Sequence, residues 1–209
     1  MITNKPFDNT KKWLIIIYLI SLNVFFLTII YWGHHPLINR CFLNVFGFYQ
    51  PEAKTKLTNE ETTAYHEAGH ALITLLYPHN YEMSYVTIIP RGSTLGHSKH
   101  KILKNDWKNN VLVALAGTAA ESLVACNNQI DKQKVGKGSG SDFSKARKIL
   151  NRNSKNPKND FNLLLKQSED LLSLNKETLD QIAKFLTIKK ILSRDELYDI
   201  CQKYPLKKS

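Results

Sequence analysis

The feature that most restricts how this 209-residue chain can fold is an uncharged apolar run from Trp13 to Trp32. Its polar members, such as Ser21 and Asn23, carry no charge. A run of this length can satisfy its backbone groups inside a hydrocarbon layer ~30 Å thick only as a helix. Aromatic residues stand at both ends, where they favour the membrane interface. We therefore predict a transmembrane helix over residues 13–32, preceded by a tail over residues 1–12.

Two alternatives for this run are weaker. A cleaved signal peptide needs a shorter apolar region and a small-residue cleavage site, which residues 31–36 do not offer. A buried helix of a soluble protein usually has a polar face, and this run has no charged one. Three lysines precede the run, so the positive-inside rule places the N-terminus in the cytoplasm. The apolar stretch 37–49 could lie in the interface or reverse the chain, so the side of the membrane stays open.

The remainder divides into a juxtamembrane segment and linker over residues 33–56 and a domain over residues 57–209. The apolar periodicity of this domain predicts a mainly α fold with a small β-sheet. The predicted helices are 58–77, 107–126, 142–152, 160–188 and 193–203, with a strand at 85–89 and polar loops at 127–141 and 151–159.

The charge pattern argues against nucleic-acid binding. Lys and Arg number 29 against 18 Asp and Glu, which gives a formal net charge of +11. The lysines are scattered among asparagines without interleaved aromatic residues, so we interpret most of them as solvated surface, with a share free to face an anionic membrane. The three cysteines form no CxxC pair and predict neither a disulfide framework nor a thiolate metal site.

The segment His66-Glu-Ala-Gly-His70 fits the pattern H-E-x-x-H. On a helix, residues four apart share one face, so both imidazoles can reach one Zn²⁺ at about 2.0–2.1 Å. Glu67 is displaced by about 100° around the helix, which keeps it off the metal but close to an attacking water. The pattern predicts His66 and His70 as zinc ligands and Glu67 as the general base of a peptide hydrolase.

The neighbouring residues favour a helix at this motif. Thr58 and Glu61 have the spacing of a capping box, and Pro78 stops the helix. The alternative is an ordinary amphipathic helix that happens to expose two histidines. An accidental H-E-x-x-H inside such a well-delimited helix is the less economical interpretation.

Zinc at a catalytic site needs a third protein ligand. The histidines 79, 97 and 100 fall at a predicted strand start and in predicted loops, outside the motif helix. Glu121 and Asp142 are the carboxylate candidates. Glu121 could instead be a solvated helix residue, and Asp142 could instead cap the helix that it begins. The residues alone leave this choice open.

Several ordered blocks carry a family resemblance. They cover residues 63–72, 86–92, 95–96, 115–121, 138–142 and 179–186. In these blocks the chain resembles the peptidase domain of FtsH-type membrane-bound, ATP-dependent zinc proteases, over about three quarters of its length. The resemblance implies that Asp142 is the third zinc ligand and that Glu121 has a supporting role. It also implies a strand at 86–89 near the cleft that could pair with an extended substrate peptide.

Two departures from that family affect the expected activity. The chain has no G-x-x-x-x-G-K-[ST] loop, and its glycine-rich segment 136–140 is interpreted as the lead-in to Asp142. Residues 151–159 form a polar loop where the family has a longer ordered segment. Family members assemble as hexamers largely through the ATPase ring, so no oligomeric state is predicted here.

These observations predict a membrane-anchored zinc metalloendopeptidase that hydrolyses unfolded or membrane-proximal proteins without an ATPase of its own. Its expected partners are protein or peptide substrates, membrane lipid and a separate ATPase, with no nucleic acid. The expected location is a bacterial or organellar inner membrane, with a single pass. The alternative is a non-catalytic membrane adaptor derived from such a peptidase, although the intact residues 66, 67, 70 and 142 argue against it.

Overall fold

A computed structural model describes residues 56–92, 94–127 and 129–208. The predicted tail 1–12, the predicted transmembrane helix 13–32 and all but the last residue of the predicted linker 33–56 lie outside these residues. Within them, the chain is mainly helical with one three-stranded sheet, which confirms the prediction of a mainly α domain with a small β-sheet. In chain order the elements are α1 (Asn59–Leu76), β1 (Tyr81–Thr87), β2 (His97–Ile102), α2 (Trp107–Cys126), α3 (Gly140–Asn153), α4 (Pro157–Leu174), α5 (Lys176–Lys189), β3 (Ile191–Ser193) and α6 (Arg194–Lys203).

Helix α1 has the start that its sequence predicts. The Glu61 amide donates to the Thr58 hydroxyl at 3.2 Å, and the Thr58 amide donates to the Glu61 carboxylate at 2.8 Å. This capping box satisfies amides of the first turn that have no partner inside the helix. The helix ends at Leu76, just before Pro78, so the motif is held on a single uninterrupted helix.

Helix α2 is the centre of the core and packs against α1, α3 and α4. Among the described residues it alone is long and apolar enough to cross a membrane, and 72% of its most apolar window is buried within the domain. Small residues allow α1 to approach it closely. A Cβ atom at Gly69 of α1 would lie 2.5 Å from the Ala116 carbonyl oxygen, so only glycine fits that crossing.

The sheet has the order β2-β1-β3, with antiparallel pairing throughout. Strand β1 begins four residues earlier than predicted, and its register shifts between Met83 and Tyr85. Val86 has a partner on both sides, Ser98 in β2 and Leu192 in β3. The prediction that residues 86–89 would be available to a substrate strand is therefore wrong for this part of the strand. Strand β2 is an outer strand of this sheet, and within the described residues no strand pairs with its outer edge.

The sequence pattern missed β2 and β3 for identifiable reasons. Strand β2 reads His-Ser-Lys-His-Lys-Ile and lacks alternating apolar residues, and β3 has only three residues. The predicted single helix 160–188 is also wrong, because it is interrupted at Asn175. The buried Asn175 amide donates to the carbonyl oxygens of Leu171 and Lys207, contacts that an uninterrupted helix would not place there.

The segments before and after α3 are shorter than predicted. The helix begins at Gly140, two residues early, so Asp142 lies in its first turn and Ser139 occupies the N-cap position. The idea that Asp142 caps the helix is therefore wrong. The polar loop predicted at residues 151–159 shrinks to residues 154–156, because α3 continues to Asn153 and Asn156 caps α4.

Candidate metal centre

Three of the predicted side chains meet at one point. The Nε2 atoms of His66 and His70 lie 3.0 Å apart. The Oδ2 atom of Asp142 lies 3.3 Å from each of them. One turn of α1 therefore presents both histidines to a carboxylate that comes from α3, 72 residues further along the chain than His70.

The size of this triangle matches a tetrahedral zinc site. Zinc binds histidine nitrogen and carboxylate oxygen at about 2.0–2.2 Å, so neighbouring ligand atoms of a tetrahedron are roughly 3.3–3.6 Å apart. The observed separations are 3.0, 3.3 and 3.3 Å, so two edges lie at the lower end of that range and the edge between the two imidazoles is slightly shorter. Two imidazole nitrogens and one carboxylate oxygen are a set of three protein ligands typical of a catalytic zinc site.

Hydrogen bonds at the other ring nitrogens orient both imidazoles. His66 Nδ1 lies 2.7 Å from Glu121 Oε1, and His70 Nδ1 lies 2.7 Å from the Val113 carbonyl oxygen. Both partners accept, so Nδ1 carries a proton in each ring, and Nε2 is the nitrogen that can bind a metal once it has lost its own proton. Sequence reasoning missed Val113, because a main-chain carbonyl leaves no signal in the residue type.

Glu121 is neither solvated nor part of the triangle. Its side chain is buried in α2, where Oε1 accepts from His66 and Oε2 accepts from the Gly136 amide at 2.6 Å. Gly136 has a φ of 72°, a left-handed conformation that glycine adopts without strain. The interpretation of Glu121 as an exposed helix residue is therefore wrong. Asp142, and not Glu121, is the carboxylate that the structure brings to the two histidines.

Asp142 is positioned by a buried link to α2. The Thr118 hydroxyl donates to the Ser139 hydroxyl at 2.7 Å, and Ser139 is fully buried just before α3. The first turn of α3 then projects Asp142 towards the histidines. The helix N-terminus favours a negative charge at this position.

The pKa values of the site reflect its mutual contacts. Burial alone would lower the pKa of His66, but hydrogen bonds to Asp142 and Glu121 raise it to about 10. Burial alone would raise the pKa of Asp142, but hydrogen bonds to the two histidines hold it well below its usual range. Burial raises the pKa of Glu67, and the charges of the histidines partly offset this effect.

Glu67 lies beside the triangle in a cleft of about 1310 Å³. It is 6% exposed, and a Cβ atom added at Gly96 would come within 2.8 Å of its Cγ atom. The absence of a side chain at residue 96 therefore keeps room for the carboxylate. Helices α1 and α2 form one part of the cleft, the segment from Thr94 through β2 forms a second, and the segment from Gln129 through α3 forms a third.

The other histidine candidates lie apart from the triangle. His97 and His100 belong to β2 and line the cleft, whereas sequence reasoning placed them in loops. His97 Nε2 lies 2.9 Å from the Tyr85 hydroxyl, and the His100 ring packs edge-on against Tyr81. His79 lies in the turn before β1, outside the cleft lining. None of these three joins the only histidine and carboxylate cluster of metal-binding size in the described residues.

Comparison with known proteins agrees with this geometry. The profile of Peptidase family M41 matches residues 54–155. The chain is 36% identical over 83 residues to the ATP-dependent zinc metalloprotease FtsH 3 of Symbiobacterium thermophilum, covering 35% of this chain and 13% of that protein. It is 26% identical over 203 residues to FtsH of Cutibacterium acnes, covering 76% of this chain and 28% of that protein.

A third relative extends over a similar part of the chain. FtsH 3 of Petrotoga mobilis is 27% identical over 199 residues, covering 73% of this chain and 31% of that protein. The chain thus spans less than a third of the length of each of these relatives. The profile match includes all three residues of the triangle, and the longer matches extend over much of the chain. Residues 54–155 therefore match Peptidase family M41, and the similarity to FtsH proteins over much of the chain supports a peptidase domain of the FtsH type.

Proposed function

We propose that His66, His70 and Asp142 bind one zinc ion and that the domain hydrolyses peptide bonds, with Glu67 as the general base. The observation that carries this proposal is the triangle of ligand atoms, with edges of 3.0, 3.3 and 3.3 Å, in the same cleft as a buried glutamate. The relatives described above are named zinc metalloproteases, which supports the same chemistry here.

The chemistry divides between metal and protein. Bound zinc supplies Lewis acidity, which lowers the pKa of water towards 7 and polarises a carbonyl group. Glu67 accepts a proton from the attacking water and later donates it to the nitrogen of the leaving amine. Burial raises the pKa of Glu67 and so strengthens it as a base. Glu121 and the Val113 carbonyl hold the two imidazoles in the orientation that binding requires.

The substrate is proposed to be an extended polypeptide that pairs with the outer edge of β2. Strand β2 lines the cleft, and no described residue pairs with its outer edge. Backbone pairing of this kind recognises any extended chain, so it suits unfolded segments. The outer edge of β2 thus replaces residues 86–89 as the proposed strand that pairs with the substrate.

The wider setting is also part of the proposal. The apolar run 13–32 would anchor the domain to a membrane through a single helix. The 209 residues contain no phosphate-binding loop of the Walker type. We propose that this chain cleaves unfolded or membrane-proximal proteins without hydrolysing ATP itself, and that any ATPase would act as a separate partner.

The test uses the full chain in detergent micelles, loaded with zinc. We expect about one zinc per chain and cleavage of an unfolded casein-type protein. A chelator should stop cleavage, zinc should restore it, and ATP should have no effect. Stoichiometric zinc without cleavage of any unfolded protein would contradict the proposal and favour the adaptor function.

Replacing Glu121 by Gln is expected to weaken zinc binding by about 10- to 100-fold. The change keeps the side-chain shape but removes the negative charge that accepts the hydrogen bond from His66 Nδ1. Competition with a chromophoric chelator measures the affinity. The matched control is Glu177→Gln, an exposed residue on α5 outside the cleft. Equal affinities in the two variants would remove Glu121 from its supporting role.

Replacing Gly117 by Ala is expected to displace the His66 ring. A Cβ atom at residue 117 would lie 2.4 Å from the Cε1 and Nε2 atoms of that ring. Overpacking of this kind costs about 1–3 kcal/mol and should also impair zinc binding. Denaturant unfolding and zinc titration measure the two effects. Gly138→Ala is the matched control, because a Cβ atom there would meet nothing within 4 Å. An unchanged zinc affinity in Gly117→Ala would show that the position of the His66 ring does not depend on a glycine at residue 117.

A further inference from the structure

One part of the cleft is strongly basic. Four exposed lysines line it, and we call them the lysine wall: Lys134, Lys137, Lys145 and Lys148. The first two come from the segment that precedes α3, and the last two come from α3 itself. Lys134 and Lys137, which the sequence suggested to be ordinary solvated surface, thus line the same cleft as Lys145 and Lys148.

The charge of the lysine wall is not neutralised locally. The acidic residues that line the cleft are Glu67, Glu121, Asp131 and Asp142. Three of them belong to the metal centre and its surroundings, so only Asp131 remains to oppose four lysines. Within the described ranges, Lys145 is the sole member with an ion pair, a 3.5 Å contact to Asp142 Oδ1.

Two other exposed lysines of the domain do have an acidic partner. Lys166 contacts Asp170 at 2.6 Å, and Lys189 contacts Glu196 at 2.5 Å. Surface lysines with free ammonium groups are common when scattered, because water solvates them well. A group of them along one side of a concave site has a larger effect, since a cleft focuses the field and attracts ligands of opposite charge.

Two members of the lysine wall lie on the same helix as Asp142. Residues three and four apart share a helix face, so Lys145 follows Asp142 on α3 and Lys148 continues the same row. The charge of Lys145 also helps to lower the pKa of His100 on β2, although burial is the main cause of that shift. A peptide paired with β2 would therefore lie within the field of these ammonium groups.

We propose that the lysine wall recognises acidic side chains of the substrate, so that this peptidase favours peptides with Asp or Glu flanking the scissile bond. This inference rests on the proposed peptidase function and adds a substrate class to it. Backbone pairing with β2 supplies affinity for any extended chain, and the lysine wall supplies the selectivity that such pairing lacks. An acidic peptide fits better than an anionic membrane, because the lysines share a concave cleft with Glu67.

The first experiment compares three fluorogenic peptides with the same apolar centre and flanks of Asp and Glu, of Asn and Gln, or of Lys. The enzyme is the zinc-loaded full chain in detergent micelles. We expect kcat/KM for the acidic peptide to exceed that for the neutral one by about tenfold, through KM. The preference should shrink as sodium chloride rises from about 50 to 500 mM, because salt screens exposed charges.

Charge-reversal variants test the residues. Lys134→Glu combined with Lys148→Glu should remove the preference for the acidic peptide and leave turnover of the neutral peptide unchanged. The control combines Lys158→Glu with Lys184→Glu, exposed positions on α4 and α5 outside the cleft. This control makes the same change in net charge, so it should keep the preference. Equal loss in both variants would overturn the proposal, because it would show an effect of net charge alone.

A binding measurement separates this inference from the proposed function. Fluorescence anisotropy of labelled acidic and neutral peptides on the Glu67→Gln variant reports recognition without turnover. If no peptide is cleaved by the parent enzyme but the acidic peptide binds more tightly, the peptidase proposal fails and the recognition proposal stands. If all peptides are cleaved and bound equally, recognition is overturned and the peptidase function stands. Loss of binding to phosphatidylserine vesicles in the Lys134/Lys148 variant, with an unchanged peptide preference, would also overturn it.

Discussion

Replacing Glu67 by Gln is expected to reduce peptide hydrolysis by about 10²- to 10⁴-fold while leaving the zinc content unchanged. Gln has nearly the same shape but cannot accept a proton from water at neutral pH. Glu67 is outside the triangle of ligand atoms, so its charge is not needed for coordination. Initial rates on an unfolded protein, together with metal analysis of the same sample, measure both effects.

The control for this variant is Glu177→Gln, which makes the same chemical change on an exposed part of α5. It should keep full activity. Undiminished turnover in Glu67→Gln would remove Glu67 from its role as the base. Loss of zinc from Glu67→Gln would instead mean that the carboxylate takes part in metal binding.

Replacing Asp142 by Asn is expected to weaken zinc binding by at least about 100-fold and to abolish activity with it. The change removes the only negative charge in the triangle, where Oδ2 lies 3.3 Å from both Nε2 atoms. Added zinc should raise the melting temperature of the parent protein, because a ligand of the native state stabilises it. The same addition should hardly affect the variant.

Asp199→Asn is the matched control for Asp142, because Asp199 is exposed on α6 and is not part of the cleft lining. It should respond to zinc as the parent does. Comparison with Glu121→Gln gives a further check on the third ligand. If Asp142→Asn kept its zinc and Glu121→Gln lost it completely, the proposed ligand assignment would be reversed.

Local signals made the motif helix predictable. The capping box at Thr58 and Glu61 and the stop before Pro78 act within a few residues, so the sequence locates α1 to within one residue at each end. The uninterrupted apolar pattern of α2 is similarly self-contained, and its predicted bounds agree with the structure. Both elements can be predicted because their determinants are near neighbours in the chain.

The elements that depend on distant partners were not predictable in this way. Strand β2 is polar and exists because β1 pairs with it, and the break at Asn175 depends on contacts with Lys207. The choice of Asp142 over Glu121 came from the family resemblance, since both carboxylates suit a metal. The roles of Val113 and Gly136 involve main-chain atoms, which any residue type could supply.

The carboxylate of Glu121 has a consequence for how the metal centre assembles. One oxygen accepts from His66 and the other accepts from Gly136, in the segment that leads into the helix bearing Asp142. A single buried side chain thus ties together two parts of the chain that must meet for coordination. Their mutual arrangement is fixed by folding, so binding the ion requires little additional ordering of the backbone. Such preorganisation lowers the entropic cost of binding and favours high affinity with a fixed geometry.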